Sequence, residues 1–267
     1  MNLIRRGVFI NWYFDTIMLV VYYTAGGIIL KKFIGFGLVI SASLLALSGC
    51  NSVIPGKTKD ETILVEKDDA EKLDVELQFG VGDMTVKKGA KDWVEGTAQY
   101  NINKLAPRVD YDLRGKTGEV VIDHKGSTNV GLGKIKNTWD IQLNEDIPMD
   151  LYVETGASEA ELDLQGLQLE KLDIETGVGD LTVNLGGDWK KSFKANIETG
   201  VGETTVVLPS KVGVKLTTEE GIGSSNIEDF ISKGNGVYVN EAYENADVVL
   251  EVHSEIGVGD ITFKLDK

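Results

Sequence analysis

Residues 173–183 read Asp-Ile-Glu-Thr-Gly-Val-Gly-Asp-Leu-Thr-Val, and the glycine phrase at their centre recurs along the chain. The clear copies are Gly80-Val81-Gly82-Asp83, Gly177-Val178-Gly179-Asp180, Gly200-Val201-Gly202-Glu203 and Gly257-Val258-Gly259-Asp260. The looser copies are Gly156-Ala157-Ser158-Glu159, Gly221-Ile222-Gly223-Ser224 and Gly131-Leu132-Gly133-Lys134. From Gly156 the first glycines follow at spacings of 21, 23, 21 and 36 residues. Periods of 21–23 residues predict a stacked repeat array.

The apolar alternation around the phrase changes face at the second glycine. Side chains of a strand alternate faces with period two, so a change of parity requires one extra residue, as in a bulge or corner. Glycine permits a positive φ there, and the acid after it can accept hydrogen bonds from turn amides. In the copy quoted first, the apolar positions are Leu172, Ile174, Thr176 and Val178, and then Leu181, Val183 and Leu185.

These patterns predict an all-β fold, a β-solenoid or rolled β-sheet of stacked rungs of about 21–23 residues with Gly-x-Gly-Asp corners. The 31 glycines against 4 prolines agree with many strands joined by glycine-bearing turns. A single rung cannot bury its own apolar face, so stacking stabilises the fold, and each buried aliphatic side chain contributes roughly 1.5–3 kcal/mol.

A leader is expected at 31–49, where Lys31-Lys32 precede an apolar run that ends in Leu47-Ser48-Gly49-Cys50. A basic start, a short apolar stretch and small residues before the cleavage point are typical of a signal peptide. The last four residues resemble the lipobox of bacterial lipoproteins, and the resemblance implies that Cys50 receives lipid and becomes the mature N-terminus. One acyl chain holds a protein only marginally to a membrane, whereas two or more hold it stably.

The apolar segment before that leader has two interpretations. It is a transmembrane helix interrupted by Asp15, or residues 1–30 are a misassigned extension and translation starts at a leucine codon at position 30. We favour the second interpretation. The expected division of the chain is 1–30 extension, 31–49 signal peptide, 50–69 polar tether, 70–150 less regular part of the β domain, and 151–267 repeat domain.

Composition limits the partners. The leader holds four of the 27 basic residues and one of the 42 acidic residues, which leaves the mature part at −18. Such a surface repels nucleic acid and anionic lipid, so no nucleic-acid partner is expected. With a single cysteine, neither an intramolecular disulfide nor a thiolate metal cluster can form.

Few residues suggest chemistry. His124 and His253 lack the spacing of a metal motif and are interpreted as ordinary strand or turn residues, so we expect no metal, no cofactor and no catalytic residue. Calcium remains a minor alternative if the corner acids of neighbouring rungs stack, because one acid per turn supplies too few ligands. The aromatic residues of 90–150 are interpreted as a buried cap, with a carbohydrate-stacking platform as the alternative; they are Trp93, Tyr100, Tyr111 and Trp139.

The repeated phrase at 173–183, with altered copies at 196–206 and 255–263, resembles the toast-rack group of bacterial surface domains. That group is similar to adhesin-type repeats and to the C-terminal domain of LiaF-type cell-wall-active antibiotic response proteins. The resemblance covers most of 70–267 and implies a β-repeat domain outside the cytoplasm, with no catalytic residues to carry over. This chain departs from the LiaF type by its lipid anchor, which puts a direct signalling role in doubt.

These observations favour a lipid-anchored, non-enzymatic protein on the outer face of the bacterial cytoplasmic membrane. It would bind a protein or an envelope polymer there, through a repetitive face without a pocket. Two alternatives stay open. An accessory regulator of envelope-stress signalling rests on the family resemblance alone. An envelope hydrolase lacks a Ser-His-Asp arrangement or a cluster of metal ligands in the sequence.

Overall fold

The computed structural model describes residues 21–24, 27–30, 55–126 and 134–267. The signal peptide expected at 31–49, with Leu47, Ser48, Gly49 and Cys50, lies outside these residues, as does most of the loose copy at 131–134. The chain divides into two compact units, 1–51 and 52–267. In the described part of the first unit, β1 (Val21–Thr24) pairs antiparallel with β2 (Gly27–Leu30). No helix in the described ranges is long and apolar enough to cross a membrane.

The second unit is built almost entirely of strands. Its first half contains β3 (Lys59–Val65), β4 (Lys72–Lys88), β5 (Val94–Tyr100), β6 (Pro107–Arg114), β7 (Thr117–His124) and β8 (Asn137–Leu143). Its second half contains β9 (Pro148–Asp163), β10 (Gln168–Val178), β11 (Leu181–Asn184), β12 (Phe193–Leu208), β13 (Gly213–Ile227), β14 (Ile231–Gly234), β15 (Val237–Val239) and β16 (Val249–Leu265). Two short 3₁₀ turns, Asn103–Leu105 and Tyr243–Asn245, are the helical elements of this described unit. The all-β class predicted from the sequence is confirmed.

Six parallel rungs form the centre of the sheet. Each rung has two arms joined at the glycine phrase, and β10 with β11 makes one rung in two pieces. The order across the sheet is β4, β9, β10 with β11, β12, β16 and β13. The last rung in the sequence, β16, therefore pairs with both β12 and β13 and lies between them.

The spacing of 36 residues from Gly221 to Gly257 is longer than the others because the chain must pass back over β13 before β16 can pair with β12. Between β13 and β16 the chain forms the hairpin β14–β15. Asn235 and Gly236 connect its strands with φ of +52° and +72°, as a type I′ turn requires. β15 then pairs antiparallel with β13 and leads the chain back to the gap beside β12.

The burial pattern confirms the change of face. In β12 the buried positions are Phe193, Ala195, Ile197 and Thr199 before the phrase, and Thr204, Val206 and Leu208 after it. Both arms turn their apolar side inward, so the core lies between them. Thr199 and Thr204 face each other there, with their Oγ1 atoms 3.0 Å apart.

The expected tether at 50–69 is partly wrong. Within it, Lys59–Val65 forms β3, which pairs antiparallel with β5 and buries Ile63 and Val65 completely or nearly so. The apolar run Ile63-Leu64-Val65 supplies the two inward side chains of this short strand, and Leu64 between them is 46% exposed. This first half caps the stack, because β7 and β8 pair with the two arms of β4.

Candidate binding surface at the corner of the rungs

The second glycine of each phrase adopts a backbone that other residues rarely adopt. Gly179 has a φ of +129° and Gly202 a φ of +149°. Packing adds a second requirement, since a β-carbon on Gly202 would lie 1.9 Å from the carbonyl oxygen of Gly179 on the next rung. The other second glycines with positive φ are Gly82, Gly223 and Gly259.

The first glycines of the phrase are needed for spacing alone. A β-carbon on Gly200 would lie 2.4 Å from the carbonyl oxygen of Gly177, and Gly257 meets Gly200 at 2.6 Å in the same way. A β-carbon on Gly156 would meet the carbonyl oxygen of Gly80 in the same way, and one on Gly177 would meet that of Gly156. Both glycines of the phrase therefore let adjacent corners stack at the distance of paired strands.

The corner acids connect one rung to the next. Oδ1 of Asp180 accepts a hydrogen bond from the backbone N–H of Glu203 at 3.3 Å. Oδ1 of Asp260 accepts from the backbone N–H of Ser224 at 3.1 Å and from its hydroxyl at 2.6 Å. An acid was expected to accept from turn amides, and the amide it uses belongs to the neighbouring corner.

A row of aliphatic side chains projects from the outside of the corners. Val178 is 53% exposed and Ile222 is 74% exposed, which corrects the expectation that Val178 continues the buried face. The two flanking glycines turn the chain, so the side chain between them points away from the core. We call this set the corner row; in order across the sheet its members are Ala157, Val178, Val201, Val258 and Ile222. Val81 takes the same position in the first rung but is partly buried against a second apolar cluster of Tyr100, Ile102, Leu105 and Ala106.

Carboxylates flank the corner row on both sides. The first acid row stands three residues before it in most rungs, and the second acid row stands two residues after it. The first acid row is Glu154, Glu175, Glu198, Glu255 and Glu219. The second acid row is Asp83, Glu159, Asp180, Glu203 and Asp260.

Lysine and arginine pair with several acids elsewhere on the sheet but with none of these carboxylates in the described ranges, and Glu255 has His253 beside it. Nζ of Lys72 lies 2.8 Å from Asp150 and 3.4 Å from Glu170, far along the first arm from the corners. Within 55–126 and 134–267, neither acid row has a lysine or arginine nitrogen within 4.0 Å of a carboxylate. A shallow groove of about 670 Å³ runs along the first acid row and the glycine backbone beside it. The corners thus present an apolar strip between two uncompensated negative ones.

One group beside this groove has the donor types of a metal site. Glu219, His253 and Glu255 hold their ligand atoms within 4.8 Å of one another, and Nε2 of His253 lies 3.0 Å from Oε1 of Glu255. Imidazole with two carboxylates suits a divalent transition metal. Sequence spacing could not show this trio, because Glu219 reaches it from the neighbouring rung β13. The acid rows also meet the stacking condition on which the calcium alternative depended.

His124 takes no part in this surface. It is buried, with Nε2 accepting from the backbone N–H of Gly80 at 3.0 Å and Nδ1 lying 3.0 Å from the carbonyl oxygen of Leu105. Those contacts fix a neutral ring with its proton on Nδ1. Burial lowers the pKa of His124 below its usual value. The histidine completes the end of the first rung, where β7 stops pairing with β4.

The aromatic residues of 90–150 lie mostly in the core. Trp139 is fully buried, with its ring centroid 5.0 Å from that of Phe79. Trp93 and Tyr100 are each 7% exposed, and the partly buried Tyr111 donates a hydrogen bond to Asp68 at 2.7 Å. Burial, with Asp68 beside it, raises the pKa of Tyr111 to about 12. The placement of these four residues therefore supports the interpretation as a cap and not as an exposed stacking platform.

Comparison with known proteins agrees with this architecture. Residues 54–207 match the family described as the N-terminal domain of toast_rack, DUF2154. A solved structure of a candidate cell adhesion protein from Clostridium sporogenes is 36% identical, with a TM-score of 0.74, over 79% of this chain and 100% of that one. A candidate adhesin from Bacteroides fragilis is 14% identical over 78% of this chain and 97% of that one, with a TM-score of 0.28. A search of curated proteins gave no match.

Proposed function

The chain belongs to the toast-rack family, and we propose that it is a lipid-anchored protein of the bacterial cell envelope with a non-catalytic binding role. The observation that carries the proposal is the corner row. Soluble proteins seldom expose contiguous apolar side chains without a use for them, and here the strip crosses five rungs, from Ala157 to Ile222. Binding therefore explains why the corners carry valine and isoleucine at exposed positions.

The relative from Clostridium sporogenes supports the same role, since its name refers to cell adhesion. A binding protein needs an extended, rigid surface, and parallel rungs in register supply one. The shallow groove along the first acid row suits contact with a macromolecule better than enclosure of a small substrate.

The proposed attachment to the membrane rests on Cys50. Lipid on this residue would hold the domain at the outer face of the cytoplasmic membrane, after removal of the leader at 31–49. The mature charge of −18 is compatible with this position, because lipid attachment and not surface charge would supply the membrane affinity.

Site-specific crosslinking in living cells tests the binding role. A photoreactive amino acid replaces Val201 in the corner row, and in a matched strain it replaces Lys194, an exposed residue on the first arm of the same strand. We expect a discrete crosslinked product from position 201 and none from position 194. Equal labelling at both positions, or no product at 201, would count against a binding surface at the corners.

A further inference from the structure

The corner row is a narrow apolar strip with a defined length. Neighbouring parallel strands lie about 4.8 Å apart, so the four steps from Ala157 to Ile222 span about 19 Å. The exposed fractions at the three members Val178, Val201 and Val258 are 53%, 45% and 43%. The strip is therefore accessible along its whole second half, and Ile222 ends it with the largest exposure.

The charges beside the strip define what can cover it. Each acid row contributes five carboxylates without a lysine or arginine partner in the described part of the chain, and one of them, Glu255, contacts His253. A ligand that covers the strip places its flanking groups beside these carboxylates. Positively charged groups there are attracted, and negatively charged groups are repelled. The occupant must then be apolar along its centre and basic along both flanks.

Among protein elements, an α-helix matches this surface best. About 13 helical residues span 19 Å, and a helix with side chains is about 10–12 Å across. Its apolar stripe repeats once per turn of about 5.4 Å, close to the rung spacing, whereas a strand repeats on one face at about 6.6–6.8 Å. Lysine and arginine on the flanks of the stripe can reach both acid rows.

We propose that the corner row and the two acid rows dock a basic amphipathic α-helix of a partner protein. The proposal deepens the binding role proposed above and rests on it. An anionic membrane surface shares the apolar character of such a helix, but its phosphates would meet ten carboxylates, which disfavours lipid as the occupant. Helix docking along a groove is a common mode of protein recognition.

The test uses residues 52–267, which form a compact unit with their own core. The probe is a labelled helical peptide of about 16 residues with leucine along one face and lysine on both flanks. Fluorescence anisotropy measures its affinity. We expect the double variant Val201→Ser with Val258→Ser to weaken binding about tenfold or more, because it removes apolar contact.

The charge contribution is measured separately. Glu175→Gln, Glu198→Gln and Glu255→Gln together should also weaken binding about tenfold and flatten its dependence on salt. The matched control changes three exposed acids away from the corners, Asp60→Asn, Asp112→Asn and Glu228→Gln, and should leave the affinity within about twofold. All these positions are at least partly exposed, and unchanged thermal unfolding of each variant checks that it is folded.

Three outcomes would overturn the proposal. They are equal binding of a scrambled peptide with the same composition, affinity that the corner variants leave unchanged, and binding of the domain to anionic phosphatidylglycerol vesicles that the Val201 and Val258 changes abolish. A crosslink at position 201 to a partner without such a helix would refute the helix while leaving the binding role intact. Absence of that crosslink, with the peptide still bound at the corners, would instead refute the role in cells.

Discussion

The α-carbon of Gly202 faces the carbonyl of Gly179 on the neighbouring rung so closely that a β-carbon would lie 1.9 Å from its oxygen. The substitution Gly202→Ala must therefore push two rungs apart, and it also places alanine at a φ of +149°. We expect a loss of about 3 kcal/mol or more in the free energy of unfolding, measured by urea denaturation.

Gly56→Ala is the matched control, because Gly56 has no positive φ in the range that disfavours alanine and its nearest neighbour lies at an ordinary 3.5 Å. Its free energy of unfolding should stay within about 0.5 kcal/mol of the wild type. Equal effects of the two substitutions would show that the corner does not require glycine.

Thr199 and Thr204 join the two arms of one rung through their hydroxyl groups, which are nearly completely buried. Replacing either by valine leaves the other hydroxyl buried without this partner, which should cost about 1–2 kcal/mol. The double variant should lose less than the sum of the two single variants, since it leaves no orphan hydroxyl. Urea denaturation of the four proteins in the cycle measures the coupling; additive losses would mean that the hydroxyls do not interact.

Val183 belongs to the completely buried face of β11, whereas Glu175 stands outside on the preceding arm. The substitution Val183→Asp buries a carboxylate among aliphatic neighbours and should destabilise the domain by about 3–5 kcal/mol. Glu175→Lys should change stability by less than about 0.5 kcal/mol. Thermal and urea unfolding compare the two, and a stable Val183→Asp variant would contradict the assignment of the core.

The buried His124 should make stability depend on pH near neutrality. Its pKa is lowered in the folded state, so below about pH 6.5 the unfolded chain binds a proton that the folded chain resists. Stability is therefore complete above pH 6.5 and falls as the pH drops through that value. Urea denaturation at about pH 7.5 and pH 5.5 measures this, at values where carboxylates still remain largely ionised.

A His124→Gln variant serves as the comparison, because glutamine can hydrogen bond without titrating. It should be less stable than wild type at the higher pH but should lose little more at the lower one. A pH dependence that persists unchanged in this variant would assign the effect to another group.

Cys50→Ser should release the protein from the membrane, since a hydroxyl cannot form the thioether that carries the lipid. The measurement is the distribution of the protein between membrane and medium, and Ser52→Ala is the control that should remain in the membrane fraction. Continued membrane association of Cys50→Ser would argue against lipid attachment at this residue and would favour a membrane segment within the first 49 residues.

Much of the fold was accessible from the sequence because the relevant signals are local. The change of face at the glycine phrase depends on a few adjacent residues and was predicted. The turn at Asn235-Gly236 is a local signal of the same kind. The strand at Lys59–Val65 was missed because a short segment in a polar surrounding gives a weak signal.

Local signals of this kind predict neither the order of the rungs nor the exposure of the corner row. Every rung has equivalent edges for pairing. The sequence around Gly257 therefore does not indicate that β16 pairs with β12 and that β13 is the last of the six rungs. The exposure of Val178 depends on how far the two glycines turn the chain, which parity alone does not give. The apposition of Glu219 with His253 depends in turn on the order of the rungs.

The register of β9, β10 and β12 is the same at every paired position around the corner, and the segments from one corner to the next contain 21 or 23 residues. Duplication or deletion of one such segment in the gene would lengthen or shorten the protein by one step of about 4.8 Å while leaving the remaining contacts intact. Relatives with different numbers of rungs would then offer binding surfaces of different length. The number of rungs is the property that evolution would change to match the length of a partner.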